Sequence, residues 1–252
     1  MLKEEKWLLE EKYAGKETAE FEADKHRLAL GEPVAYLIGW QPFLGLKIRL
    51  DSRPLIPRPE TEWWTEQLLT SLADRGRPLQ FLDLCAGSGA IGCAALARLP
   101  QARVYFGELD PAHEATIEEN IRGNGLGAAR AAIRIGDLFA PFPAPMRFDF
   151  IAANPPYIPE GRLLPASVAD NEPAQALYAG TDGLSLIRRI AAALPHRLAP
   201  GGSAWIECDS AHAEAACGLF TAQGLPAEIR SDQYGVPRLI VVSFPEPQGR
   251  SI

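Results

Sequence analysis

Over residues 1–30 the apolar positions Trp7, Leu8, Tyr13, Phe21, Leu28 and Leu30 are scattered through a stretch rich in Glu, Lys, Ala and Leu. That spacing predicts one or two amphipathic helices broken near Gly15. From Gly31 the pattern changes: Gly31, Pro33, Gly39, Pro42, Gly45, Pro54, Pro57 and Pro59 punctuate short apolar pieces, and Leu46-Lys47-Ile48-Arg49-Leu50 alternates with period two. A hairpin or linker docked on the remainder is predicted over 31–58. Beyond Pro59 the pattern becomes regular. Its periodicity predicts helices over 60–72, 90–99, 112–124, 184–198 and 212–223, and strands over 79–84, 103–108, 132–135, 148–153, 203–208, 227–230 and 238–244.

Strands alternating with helices imply an α/β fold, a doubly wound, mostly parallel sheet covered on both faces. In such sheets a ligand sits outside the carboxyl ends of the strands at the point where strand order reverses. The last two strands, separated by Asp232-Gln233-Tyr234-Gly235, read as an antiparallel hairpin at one edge. The chain therefore divides into a short N-terminal helical segment over 1–30, a linker hairpin over 31–58 and a main domain over 59–252.

Composition narrows the function classes. With 252 residues, 47% of them apolar, the chain can bury one substantial core with room for a small appendage. A net charge of −7 argues against a protein that grips a nucleic-acid backbone, where Lys and Arg supply most of the affinity. The start, Met1-Leu2-Lys3-Glu4-Glu5-Lys6, lacks the apolar core of a secretory signal, and no apolar run is long enough to span a membrane. A soluble, cytoplasmic protein is expected. Cys85, Cys93, Cys208 and Cys217 lie far apart without a C-x-x-C pair, which suits reduced core thiols and offers no metal site. His26, His113, His196 and His212 fall outside the motifs, and surface positions are expected for them.

The first motif is Phe81-Leu82-Asp83-Leu84-Cys85-Ala86-Gly87-Ser88-Gly89, an apolar strand ending in a Gly-rich turn that opens a helix. Glycine allows the sharp bend and close approach of a ligand, and the free N–H groups of the helix start suit a carboxylate. Asp83, Ala86, Gly87 and Gly89 are the candidate contacts here. The next strand ends in Glu108, whose carboxylate can accept from both hydroxyls of a ribose. The plainer role of capping the following turn falls to Asp110, just before Pro111. After the third strand comes Gly136-Asp137-Leu138-Phe139, where Asp137 can accept from an adenine amino group beside Leu138; an ordinary turn with an Asp is the plainer reading. Together the three strand ends describe a site for a nucleoside with a carboxylate tail and no phosphate, and no Walker loop or G-x-G-x-x-G is present.

The fourth strand ends in Asn154-Pro155-Pro156-Tyr157. An amide or aromatic amine nitrogen is a poor nucleophile because its lone pair is delocalised. Attack on a sulfonium methyl needs that lone pair turned toward the methyl. The Asn154 side-chain oxygen and the Pro155 carbonyl can each accept one N–H of an NH2 group and leave the third direction free. Consecutive prolines keep the carbonyls aimed into the site, and Tyr157 offers a flat surface for a planar group. Asn154, Pro155 and Tyr157 are the candidate catalytic residues, with Pro156 beside them and Asn154 also adjoining the cofactor.

On these residues the chain resembles the protein-(glutamine-N5) methyltransferases that modify the Gly-Gly-Gln motif of class I peptide-chain release factors. The matching stretches are Gly31-Glu32-Pro33-Val34-Ala35-Tyr36-Leu37-Ile38-Gly39, Leu55-Ile56-Pro57-Arg58-Pro59-Glu60-Thr61-Glu62, the Gly-rich turn, Asn154 to Ile158, Asn171-Glu172-Pro173, Ala176-Leu177 and Asp182-Gly183-Leu184. The resemblance implies a class I S-adenosyl-L-methionine-dependent methyltransferase fold, S-adenosyl-L-methionine as cofactor with S-adenosyl-L-homocysteine as product, and a class I release factor as protein substrate of a monomer. It further implies Arg58, Glu60 and Glu172 as substrate-site residues beside Asn154, Pro155, Pro156 and Tyr157. Family members usually carry a longer helical bundle than the thirty N-terminal residues here, Gly and Thr where this chain has Cys85 and Ala86, and Asp where it has Glu108. A related enzyme acting on a glutamine of a ribosomal protein, or an adenine-N6 methyltransferase acting on nucleic acid, would share Asn-Pro-Pro-Tyr. The Pro59-Glu60-Thr61-Glu62 stretch weighs against the first, and the acidic net charge with the Ile56 to Glu62 stretch against the second.

Overall fold

The structure, a computed structural model, describes residues 1–72 and 78–246. At the N-terminus α1 (Lys3–Tyr13) and α2 (Ala19–Ala29) are separated by Ala14 and Gly15, both at positive φ, and Thr18 caps α2 by accepting from the Phe21 N–H at 3.2 Å. A third helix, α3 (Val34–Ile38), lies between Pro33 and Gly39. Its five residues are too few to show a helical period, so the sequence pattern reads there only as punctuation. Leu8, Phe21, Val34 and Leu37 bury their side chains together as a small core of their own. The hairpin follows, β1 (Trp40–Phe43) paired antiparallel with β2 (Leu46–Arg49).

The main sheet is built from β3 (Leu79–Leu84), β4 (Ala102–Glu108), β5 (Ala131–Ile135), β6 (Phe148–Ala153), β7 (Leu198–Glu207), β8 (Ala227–Ser231) and β9 (Pro237–Ser243). Its order is β5-β4-β3-β6-β7-β9-β8, with β9 antiparallel to both neighbours and every other pairing parallel. The terminal hairpin thus lies at one edge, as its turn residues predict. Helices α4 (Pro59–Leu72), α5 (Ala90–Arg98) and α6 (Glu114–Gly123) bury Trp64, Leu68, Ile91 and Ile117 against Phe81, Val104, Phe106 and Phe150 on one face. On the other face α8 (Ser185–Arg197) and α9 (Ala213–Thr221) bury Ile187, Leu194 and Phe220 against Leu82, Leu84, Ile151 and Ile206. A four-residue helix, α7 (Ala166–Ala169), interrupts the long connection from β6 to α8. The fold is the doubly wound, mostly parallel α/β sheet that the alternating pattern predicts, and among the described residues no helix is long and apolar enough to cross a membrane.

Two boundaries differ from the periodic pattern. The helix predicted from 112 opens as a 3-10 turn over Pro111–His113, with Asp110 Oδ1 accepting from the Ala112 N–H at 2.9 Å. β7 begins at Leu198 instead of 203: Leu198 pairs with Phe148, the register shifts across Pro200-Gly201-Gly202, and pairing resumes at Ser203 with Phe150. Strand order reverses between β3 and β6, and their register sets Leu84 opposite Ala153. The Gly-rich turn and the Asn-Pro-Pro-Tyr strip consequently leave the sheet side by side.

Candidate active site

The turn after β3 is shaped by backbone conformations unusual for side-chain-bearing residues. Cys85 sits at φ 62°, and Gly89 at φ 76° caps α5 with no room for a Cβ, which would fall 3.1 Å from Ile117 and 3.2 Å from Phe106. The Ala86 N–H is tied to the Gly107 carbonyl at 3.1 Å, which joins the turn to the end of β4. Glu108 folds back onto the same turn: Oε2 accepts from the Gly87 N–H at 2.7 Å and Oε1 from the Asp110 N–H at 2.9 Å. Its extra methylene over an Asp is used in that curl.

Below the turn, Asp83 is fully buried. Oδ2 accepts from the Gly92 N–H at 2.8 Å, while Oδ1 has no hydrogen-bond partner among the described residues. Burial, reinforced by the nearby Glu108 charge, pushes its carboxyl up to about 8. A buried acceptor left without a donor is uncommon and marks a place where a ligand can complete the bonding.

Above the strand ends lies a cavity of about 680 Å³ including its mouth, lined by Cys85, Gly87, Glu108, Asp137, Leu138 and Asn154, and closed from the β6–α8 connection by Gln175 and Ala176. Gln175 Nε2 donates to Asp110 Oδ2 at 3.1 Å across that opening. Asp137 is paired with Arg189 of α8, and Leu138 beside it adopts φ 48°. His113, expected at the surface, is instead buried and lines this cavity. Its Nδ1 lies 2.8 Å from Ser52 Oγ in the segment leading from the hairpin, an arrangement invisible in the chain because Ser52 and His113 are 61 residues apart. His26 and His196 are exposed and His212 is half-buried.

A second cavity of about 450 Å³ including its mouth also reaches Asn154, and is lined by Leu55, Arg58, Tyr157, Ile158, Val168 and Leu177. Arg58 is held there by Glu172, whose Oε1 accepts from Arg58 Nη2 at 2.6 Å while Oε2 accepts from the Ile56 N–H at 3.2 Å. Glu172 is buried and acts on Arg58 and the 56–58 backbone rather than on the open space. Glu60, in the first turn of α4, is half-buried and lies outside the lining of either cavity. Pro155 and Pro156 are buried, with Pro156 lining the first cavity. Gly183 approaches the strip so closely that a Cβ would fall 2.4 Å from the Tyr157 carbonyl oxygen.

Asn154 and Tyr157 converge on three residues that are not among the candidate site residues, Thr61, Trp64 and Glu207. Asn154 Nδ2 donates to Thr61 Oγ1 at 3.1 Å; Thr61 Oγ1 and Trp64 Nε1 each donate to Glu207 Oε2 at 2.7 Å; Tyr157 OH donates to Glu207 Oε1 at 3.0 Å. Glu207 is buried at the carboxyl end of β7, and desolvation raises its pKa against the lowering effect of its three donors. Burial and the Glu207 charge likewise push the Tyr157 hydroxyl up. The signal for Glu207 was present: an acid ends the apolar run Ala204-Trp205-Ile206, as Glu108 ends β4.

Residues 45–174 match the family model described as "Conserved hypothetical protein 95". A release factor glutamine methyltransferase of Bordetella pertussis is 41% identical over 215 residues, 84% of this chain and 78% of that one. Among solved structures, a methyltransferase from Pyrococcus furiosus superposes with a TM-score of 0.59 at 15% identity, covering 89% of this chain and 99% of that one. A 16S rRNA N2 G1207 methyltransferase of T. thermophilus, solved with AdoMet and guanosine, gives 0.56 at 18% identity over 81% of this chain and 49% of that one. These two likenesses bear on the fold.

Proposed function

The chain belongs to the release factor glutamine methyltransferase family, and from that membership we propose that it transfers a methyl group from S-adenosyl-L-methionine to the side-chain amide nitrogen (N5) of the glutamine in the Gly-Gly-Gln motif of a class I peptide-chain release factor. The observation that carries this reading is the position of Asn154 on the lining of both cavities, with its NH2 end committed to Thr61 and its Oδ1 end turned from that bond. Donor and acceptor would meet at this residue.

The cavity above the strand ends fits a sulfonium nucleoside by its own chemistry. Glu108 suits the ribose hydroxyls, and Asp137 with Leu138 the adenine. Gly87 and Gly89 keep the turn free of side chains beside it, with Ala86 just before them. When bound, S-adenosyl-L-methionine supplies an electrophilic methyl group. The residues of the chain do the rest. Asn154 Oδ1 and the Pro155 carbonyl accept the two N–H groups of the glutamine amide, which orients its nitrogen and raises its electron density. Tyr157 lies along the amide plane, Pro155 and Pro156 exclude water, and Arg58 flanks the acceptor side. As the N–C bond forms, the nitrogen loses one proton to solvent and the departing S–C pair stays on sulfur.

The test is methyl transfer from labelled S-adenosyl-L-methionine to a purified class I release factor, beside a variant factor whose Gly-Gly-Gln glutamine is replaced, with ribosomal protein and DNA as parallel acceptors. Label on the unmodified factor alone is expected. Label on ribosomal protein or DNA instead would keep the chemistry and overturn the substrate.

A further inference from the structure

We propose that Glu207 and Trp64 act through Thr61 as positioning residues that dictate which end of the Asn154 carboxamide faces the cleft. The inference rests on the reading of Asn154 Oδ1 as the acceptor for the target amide.

The argument is one of hydrogen-bond direction. An indole N–H can only donate, so Trp64 Nε1 at 2.7 Å obliges Glu207 Oε2 to be an acceptor. Thr61 Oγ1 meets the same oxygen at 2.7 Å and must give it the single hydroxyl proton. With that proton committed, Thr61 can offer Asn154 only a lone pair. Nδ2, and not Oδ1, therefore faces Thr61 at 3.1 Å, and Oδ1 is directed the other way. The reversed carboxamide would set two acceptor oxygens against each other with no proton between them. Thr61, Trp64 and Glu207 are all buried, which keeps solvent from relieving that mismatch.

The second carboxylate oxygen reinforces the arrangement by accepting from Tyr157 OH, so one buried acid orients both the amide and the ring of the strip. Protonation does not undo the relay. A proton on the carboxyl goes to Oε1, on the Tyr157 side, because Oε2 already receives two donors. The spacing in the chain fits this purpose: Thr61 and Trp64 are three residues apart on one face of the first turns of α4, and both reach the end of β7.

The test uses the full chain with Thr61→Val, Thr61→Ser and the pair Trp64→Phe/Glu207→Gln, read three ways. The first is the 15N–1H resonance pair of the Asn154 side-chain amide, in which a proton bonded to Thr61 is shifted downfield and slow to exchange. The second is the affinity for S-adenosyl-L-homocysteine by calorimetry, and the third the kcat and KM for methyl transfer to the release factor. Thr61→Val is expected to abolish the downfield Asn154 resonance and lower kcat by about tenfold or more, with product affinity changed by less than about twofold. Thr61→Ser, which keeps the hydroxyl, is expected to recover both, and Trp64→Phe/Glu207→Gln to lose both. An unchanged Asn154 resonance in Thr61→Val overturns the proposal. So does a parallel loss of product affinity and turnover in that variant, which would mark a role in folding alone, or a Thr61→Ser as impaired as Thr61→Val. Should the unsubstituted protein methylate no release factor, the substrate reading fails, while the resonance and the product affinity still decide the orientation.

Discussion

At the scale of single residues, Asp83 and Asn154 show how burial and bond direction assign chemistry. A carboxyl whose pKa is raised in the folded protein binds its proton more tightly there than in the unfolded chain, so it favours folding at low pH and loses that advantage as pH rises toward the folded value. For Asp83 the window runs from its ordinary 3.8 to about 8. Asp83→Asn keeps an acceptor for the Gly92 N–H and removes the ionisable group. Its stability relative to the unsubstituted protein is expected to grow by a few kcal/mol, at most about 1.4 kcal/mol per pH step, between pH 4 and 8. Urea unfolding at pH 5 and pH 8 measures this, and a difference independent of pH would show that another group carries the linkage. Asn154→Ala removes one of two acceptors for the target NH2. Turnover should fall on the order of 10² to 10³-fold with cofactor affinity nearly intact, and an equal loss of affinity in a binding titration would contradict the assigned role.

At the scale of elements, the hairpin is held to the main domain by a helix that imitates a strand. Asn120 on α6 and Asn124, its C-terminal cap, present their carboxamides one helical turn apart to the free edge of β2. Asn120 Oδ1 accepts from the Arg49 N–H at 2.7 Å and Nδ2 donates to the Arg49 carbonyl at 3.1 Å, while Asn124 does the same for Lys47 at 2.9 and 3.0 Å. Residues four apart on a helix and two apart on a strand have similar spacing, which makes the match possible. Asn120 also donates to the Ser88 carbonyl at 2.9 Å, so the hairpin and the Gly-rich turn share one side chain. Asn120→Ala should destabilise the protein by about 2–4 kcal/mol, because it strands buried backbone groups at Arg49 and Ser88. The solvent-facing Asn124→Ala should cost less than about 1 kcal/mol. Denaturant titration of the two variants checks the order, and equal losses would show that the Ser88 bond contributes nothing.

At the scale of the whole molecule, the two faces of the sheet carry the two main hydrophobic cores, whereas residues 3–38 are folded around Leu8, Phe21, Val34 and Leu37. This small core meets the rest through Tyr36, whose hydroxyl donates to the Pro54 carbonyl at 2.7 Å, and through a cluster of Ala35, Tyr36, Leu50 and Ile56. Leu8→Ala should therefore loosen α1 to α3 by about 2–5 kcal/mol while leaving the main sheet and cofactor affinity as they were. Hydrogen exchange resolved by peptide reads the two regions separately, and loss of protection in β3 or β6 together with α1 would mean that the cores unfold as one unit.

The sequence by itself determined the alternating strands and helices of the main sheet, its antiparallel edge and the placing of the motifs at strand ends, because those depend on periodicity and on residue types adjacent in the chain. β3 and β6 run from Leu79 to Leu84 and from Phe148 to Ala153, as the apolar runs predict. The Gly-rich turn, Glu108, Asp137 and the Asn-Pro-Pro-Tyr strip were legible for the same reason, since each sits at the end of a strand and the topology brings such ends together. What only the tertiary structure decided depends on contacts between residues far apart in sequence. That Glu172 serves Arg58 across 114 positions, that His113 turns inward to Ser52, and that Thr61, Trp64 and Glu207 orient Asn154 all follow from how α4, β6 and β7 are packed. No local pattern encodes a hydrogen bond's direction; it is settled by which donor and acceptor the fold leaves facing each other in a space closed to water.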